Sequence, residues 1–255
     1  MPFEKTASVY EYLLETKRRR GAGFMVLLDP DRTSPLKIRE QAQRCGDAGV
    51  DVILVGSSLM MGNGFDEAVR AAKESVDIPV VIFPGEKSQI SPEADAILFL
   101  SLLSGRNPEF LIGQQAQSAP IIRSIGLEAI STAYLLVDSG RTTSVEFMSN
   151  TRPIPSDKPE IALAHAIAAE IFGMKLVYLE AGSGATRPAP DPMVKAISSG
   201  VQIPVVVGGG IRDPETAARK VAAGASFVVV GNHLERNGGL REMHAFARAV
   251  HNHVH

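Results

Sequence analysis

Lys175-Leu-Val-Tyr-Leu-Glu-Ala-Gly-Ser-Gly-Ala185 begins as an apolar run and ends as a glycine-rich turn. Its run at 176–179 reads as a strand buried on both faces, because it is apolar throughout rather than alternating. Beyond it, glycines let backbone N–H groups converge on an anion with no side chain in the way. Glu180 stands at the edge of this turn. A carboxylate would repel a phosphate, so simple phosphate binding has no use for it. Its presence points to chemistry on a hydroxyl close to a phosphate.

Seven more apolar, β-branched runs share this character, at 24–28, 52–55, 80–83, 96–100, 132–137, 205–207 and 227–230. Helical patterns separate them at 35–48, 66–76, 108–118, 159–172, 191–199, 214–223 and 240–251. Several open on Pro or Asp, as helix N-termini do. Segment 85–94 is too short for a full helix, which predicts an irregular third crossover. A polar, amphipathic stretch predicts an N-terminal helix over about 4–20. Eight β/α units in about 230 residues predict a single-domain (β/α)8 barrel, with the chain as one domain over 1–255. An open doubly wound sheet is the competing fold, but it places its glycine-rich turn after the first strand.

In a barrel, three glycine turns share the C-terminal face: Ala181-Gly-Ser-Gly-Ala185, Gly208-Gly-Gly-Ile-Arg212 and Gly231-Asn232. The last two flank the usual phosphate site of the fold. Amides there bind a phosphate dianion without lysine. One such turn alone is equally well read as a tight βα connection; three in succession favour the phosphate.

Across the same mouth lie Leu28-Asp29-Pro30-Asp31 and Val55-Gly56-Ser57-Ser58. A carboxylate and a hydroxyl on adjacent strand ends suit Mg²⁺, which takes hard oxygens and keeps several waters. Alone, Asp29-Pro-Asp31 reads better as a strand-ending turn with an Asp cap.

Composition narrows the function classes. The 255 residues carry a formal net charge of −2, so nothing draws the chain to nucleic acid. Trp is absent, which argues against base-stacking platforms. Cys45 is the sole cysteine, which excludes an internal disulfide and fits a cytoplasmic location. No apolar run nears the length of a membrane span.

Taken in order, Leu-Asp-Pro-Asp, Val-Gly-Ser-Ser, Tyr-Leu-Glu-Ala-Gly-Ser-Gly-Ala, Val-Gly-Gly-Gly-Ile-Arg and Val-Gly-Asn resemble the geranylgeranylglyceryl phosphate synthases, from about Gly23 to Arg236. That family joins sn-glycerol 1-phosphate to a polyprenyl diphosphate, making the first ether bond of archaeal-type lipids. The resemblance implies a Mg²⁺-dependent prenyltransferase acting on the C3 hydroxyl, with Asp29 and Ser58 holding the metal. It implies that Tyr178, Leu179, Glu180, Ala181, Gly182, Ser183 and Gly184 surround glycerol phosphate. Gly208, Gly209, Gly210, Gly231 and Asn232 would complete the phosphate cradle. It also implies homo-oligomers, dimers or hexamers.

Some family members carry a lysine two residues before the metal aspartate, where this chain has Leu27. The chain is therefore similar to the second subgroup, related to bacterial heptaprenylglyceryl phosphate synthases, as are Ser101-Leu-Leu-Ser-Gly-Arg-Asn-Pro108 and Phe147-Met-Ser-Asn-Thr151. Backbone amides would then carry more of the phosphate binding. Glu180 is the candidate base for the hydroxyl, and Asp29 the catalytic metal ligand.

An apolar trough for the prenyl tail is expected from Leu59-Met-Met61, Leu98-Phe-Leu100, Leu102-Leu103 and Tyr134, although Leu98 and Leu100 read first as core and Tyr134 equally so. Segment 138–155 is long enough for a lid or for an interface loop. Lys17-Arg-Arg-Arg20 reads first as a solvated helix end and second as a site of transient membrane-surface contact. His165 reads as a satisfied, half-buried histidine, His233 lacks a spaced partner for a metal, and the terminal His251-Asn-His-Val-His reads as a fraying helix end. Two other functions remain open on residues alone. One is a phosphosugar isomerase or lyase on the same fold; the other is a barrel that only binds a phosphorylated ligand.

Overall fold

The structure is a computed structural model that describes residues 8–31, 33–231, 234 and 239–251. Eight parallel strands close into a barrel in chain order, which is the predicted (β/α)8 architecture. The strands are β1 (Gly23–Leu28), β2 (Val52–Val55), β3 (Val80–Ile82), β4 (Ala96–Ser101), β5 (Glu128–Leu136), β6 (Leu176–Glu180), β7 (Val205–Gly208) and β8 (Phe227–Val230). Outside and between them run α1 (Val9–Arg20), α2 (Pro35–Ala48), α3 (Phe65–Lys73), α4 (Gln114–Ser124), α5 (Ser144–Ser149), α6 (Pro159–Ile171), α7 (Asp191–Gly200), α8 (Pro214–Ala222) and α9 (Leu240–His251).

Strand residues alternate between two apolar layers. Met25, Leu54, Leu98, Tyr134, Tyr178, Val206 and Val229 fill the barrel. Val26, Val55, Ile97, Leu135, Leu179, Val207 and Val228 pack outward against the helices. Burial on both faces is why these strands read as unbroken apolar runs.

Two expectations shift. β5 starts at Glu128, earlier than 132, because Ala96 to Ser101 of β4 pair with Glu128 to Ala133. Its first residues look loop-like because Glu128 is polar, for a reason that lies far away in the chain. Its carboxylate accepts hydrogen bonds from Val9 N (2.6 Å), Tyr10 N (3.1 Å) and Ser8 Oγ (2.8 Å), holding the N-terminus of α1. The fourth crossover enters through a π-helical turn at Glu109–Gly113, and α4 then runs on past Pro120 to Ser124.

Helix α1 closes the N-terminal end of the barrel by inserting Val9 and Leu13 into the inner layer. The same end is tied by Asp51, whose buried carboxylate accepts from Phe24 N at 2.7 Å and from His251 Nε2 at 2.8 Å, and lies 3.3 Å from Arg20. A buried carboxylate needs such partners. One of the four basic residues at 17–20 and the first terminal histidine are thereby structural. Lys175 also lies at this end, its ammonium 4.8 Å above the Tyr10 ring. No helix among the described residues is long and apolar enough to cross a membrane.

The third crossover carries no helix, as expected from its length. A buried amide replaces it as an organiser. Gln89 Oε1 accepts from Ser57 N (3.1 Å) and Gly85 N (3.2 Å), while its Nε2 donates to Ser57 O (2.7 Å). Without a helix there, the outer face of β4 is left open beside α4.

Candidate active site

The barrel mouth opens into a cavity of about 550 Å³. One end is built from the three glycine turns: Gly182, Ser183, Gly184, Gly209, Gly210 and Gly231 all line it. The close approach of these turns demands glycine. At Gly208, a Cβ would come within 2.3 Å of the Tyr178 hydroxyl and 3.1 Å of Glu180 Oε2. At Gly209 (φ +80°), it would stand 2.3 Å from Glu180 Oε1 and 2.7 Å from Gly182 N. The ends of β6 and β7 therefore share one small volume, and the Glu180 carboxylate occupies it.

Glu180 follows Tyr178 by two residues and points to the same inward face. It is only 6% exposed. Burial pushes its pKa up to about 7, against the opposing pull of the Gly182 N–H, which donates to Oε1 at 2.5 Å, and of the Tyr178 hydroxyl. The Tyr178 hydroxyl leans on the carboxylate without completing a well-formed hydrogen bond, and the Thr143 hydroxyl is likewise buried without a partner. Of the two, Tyr178 lines the cavity, and an orphaned buried hydroxyl there is a place where a ligand's polar group is awaited.

The other end is apolar. Leu98, Phe99, Leu100, Leu102, Tyr134 and Phe110 line it, with Ile90, Ile97 and Ile122 beyond. Leu98 and Leu100 belong to the inner layer, Ile97 and Phe99 to the outer. The cavity thus passes over the rim of β4 and down its outer face, where the third crossover has no helix. Leu59, Met60, Met61 and Leu103 do not line it, contrary to expectation; Met61 is 81% exposed. The loop of Leu59, Met60 and Met61 is held outward by Asp31, which accepts from Met61 N at 2.7 Å.

Segment 138–155 forms a wall. It carries α5, pairs Val137 with Ile154, and puts Val145, Met148 and Ser149 on the cavity. Thr186 Oγ1 bonds Ser139 O, and Asn107 Nδ2 donates to Ser149 O at 2.7 Å. A Cβ on Gly182 would meet the Thr143 methyl at 2.4 Å, so the glycine turn is pressed directly under this segment.

Residues 14–250 match the PcrB family. The chain belongs to the PcrB family. It is 48% identical over 244 residues to the geranylgeranylglyceryl phosphate synthase of Chitinophaga pinensis, covering 95% of this chain and 96% of that one. It is 44% identical to the synthase of Korarchaeum cryptofilum, over 90% of this chain and 97% of that one. The crystal structure of the Thermoplasma acidophilum synthase in complex with sn-glycerol-1-phosphate superposes with a TM-score of 0.92 at 36% identity, over 97% and 100% of the two chains.

Not every residue expected to face the ligand does so in this PcrB-family barrel. Tyr178, Glu180, Gly182, Ser183 and Gly184 line the cavity together, whereas Leu179 is fully buried in the outer layer. Ala181 is buried as well. Asn232 and His233 lie outside the described residues. Ser58 lines the mouth, whereas half-exposed Asp29, which follows the end of β1, is not among the cavity's lining residues and accepts from Asp31 N at 3.1 Å. The β1–β2 register, Leu28 opposite Val55, brings the two out of neighbouring strand ends. His165 is half-buried and satisfied: its Nδ1 lies 2.7 Å from Ile161 O.

Sequence reading missed two cations on the cavity. Arg212 lines the glycine end and donates to Ala185 O at 2.7 Å, bracing the β6 turn. Lys87 lines the opposite rim, its ammonium 2.6 Å from Gln117 Oε1. The first stands two residues after the triple glycine and was visible as a charge in the motif. Nothing in the sequence distinguished Lys87.

Proposed function

We propose that this PcrB-family chain is a prenyltransferase that joins the C3 hydroxyl of sn-glycerol 1-phosphate to a polyprenyl diphosphate, giving an ether and free diphosphate. Support comes first from one observation: a buried carboxylate with a pKa near 7 lies between a glycine cradle and an apolar trough. A phosphate held by the glycine turns sets its glycerol hydroxyl near Glu180. With Gly182 holding Oε1, Glu180 accepts the hydroxyl proton on its other oxygen. The trough receives the prenyl tail, and positioning of the two substrates supplies much of the rate.

The donor set fits Mg²⁺. Asp29 and Ser58 offer hard oxygens at a mouth open to water, and the described residues hold no cluster of three or more His, Cys, Asp and Glu. The ion would thus share its shell with substrate oxygens and water. When bound, it supplies neutralising charge to the diphosphate leaving group. The isomerase or lyase reading needs a lysine or an acid–base pair at the strand C-terminal ends; Lys175 is at the other end, and Lys87 lies on the third crossover beyond the end of β3, its ammonium 2.6 Å from Gln117 Oε1. Dimers or hexamers, a cytoplasmic location and transient membrane-surface contact belong to the same proposal. Exposed Ile161, Ile167, Ile171 and Phe172 on and beside α6 support self-association.

Isotope-labelled sn-glycerol 1-phosphate, incubated with prenyl diphosphates of graded length, tests the reading. A butanol-extractable labelled product that requires Mg²⁺ is expected. Failure with every length removes the proposal. In the same assay Asp29→Asn is expected to raise the Mg²⁺ concentration for half-maximal rate by about tenfold or more; an unchanged Mg²⁺ dependence would place the ion elsewhere.

A further inference from the structure

The chain has only four tyrosines and ten phenylalanines, and no tryptophan. Two of those tyrosines and one phenylalanine meet at a single point, the cavity floor. Phe83 stacks on Tyr178 with ring centroids 4.9 Å apart and planes 22° apart. Tyr134 stacks on Tyr178 at 5.6 Å and 23°. Phe83 and Tyr134 lie 6.1 Å apart. All three line the cavity.

Barrel interiors are ordinarily filled with Val, Ile and Leu. The inner layer here keeps to that rule at Val52, Ile130, Leu176 and Val206. It departs from it at the level of Val206, where β5 and β6 carry Tyr134 and Tyr178 instead. Tyr134 and Tyr178 face each other across the β5–β6 register, and Phe83 follows the end of β3. Glu180 comes next on the same inward face, so the rings lie directly below the carboxylate. They also lie between the glycine cradle and the apolar trough, the place where the two substrates must meet.

We infer that the Phe83–Tyr134–Tyr178 stack stabilises positive charge on the allylic carbon during prenyl transfer. The inference rests on the prenyltransferase reading above. In that reaction the bond from the allylic carbon to the diphosphate oxygen breaks, and its electron pair leaves with diphosphate. Positive charge spreads over the allyl unit. The glycerol oxygen forms the new carbon–oxygen bond, and its proton goes to Glu180. Aromatic faces attract a cation within about 6 Å, more strongly where water is excluded. Burial holds both phenols well above their usual pKa, so the tyrosines act as neutral rings rather than as competing bases. Phe83 is the half-buried member of the stack and the one best placed to touch substrate.

Replacing Phe83 with mono-, di- and pentafluorophenylalanine tests this directly, since fluorine drains the ring's π density with little change in shape. The rate of ether formation at saturating substrates is expected to fall stepwise, reaching about tenfold with five fluorines. KM for both substrates and the thermal midpoint should stay put. A rate that is flat across the series, or a loss carried by KM or by stability, overturns the inference and leaves the prenyltransferase reading intact. An unsubstituted enzyme that makes no ether from any prenyl diphosphate overturns both.

Discussion

Glu180→Gln is expected to lose ether-forming activity by about 10²-fold or more while melting at a higher temperature than the parent at pH 8. The first effect follows from removing the proposed base. The second follows from where the carboxylate sits. Burial raises its pKa from 4.5 to about 7. Between those values the folded chain holds the proton more tightly than the unfolded chain does. Stability is therefore lost as pH rises across that window, and above pH 7 the whole penalty is present, on the order of 3 kcal/mol. Glutamine keeps an acceptor for the Gly182 N–H and carries no charge. The gain is expected to be about 5 °C at pH 8, by the usual scaling for a chain of this size, and to vanish near pH 4.5. A variant that loses activity and stability together would mean that the carboxylate is a structural partner.

Gly209→Ala is expected to act in the opposite sense on stability and equally strongly on activity. Its φ of +80° strains any L side chain, and the added Cβ would overlap Glu180 Oε1 at 2.3 Å, Gly182 N at 2.7 Å and Ala181 N at 2.9 Å. Backbone strain alone costs about 1–3 kcal/mol. Neither atom of the β6 turn is the end of a flexible side chain, so relief requires moving the cradle. A fall of about 5 °C or more in the thermal midpoint is expected, with about 10²-fold lower activity. Gly231→Ala provides the contrast within the same cradle. Its Cβ would meet nothing closer than Leu27 at 3.4 Å, an ordinary contact, and the melting temperature should hold. If Gly209→Ala behaved like Gly231→Ala, the close packing of the β6 and β7 turns around Glu180 would be wrong.

Most of the barrel was legible because each strand is buried on both faces and so stands out locally as an apolar run. The glycine turns were legible for a related reason: backbone that must approach a ligand or another turn excludes side chains, and the exclusion is written in the sequence. What was not legible depends on closure. The start of β5 was hidden because Glu128 is polar to hold α1, a partner 119 residues away in sequence at Val9. Leu59-Met-Met61 had the right chemistry for a trough, yet one bond from Asp31 turns that loop outward. Gln89 and Thr143 gave no local signal, since their roles come from contacts with Ser57 and Gly182. The same holds for the aromatic floor: nothing near Phe83 says that it will stack on a strand 95 positions later, at Tyr178.

The most direct test of Glu180 as the base is kcat/KM for sn-glycerol 1-phosphate as a function of pH, measured for the parent and for the residual activity of Glu180→Gln. The substrate phosphate titrates near pH 6 and should leave its mark on both profiles. A further fall as pH drops through about 7 is predicted for the parent alone. Two profiles of the same shape, or a parent that stays level through pH 7, would contradict the account.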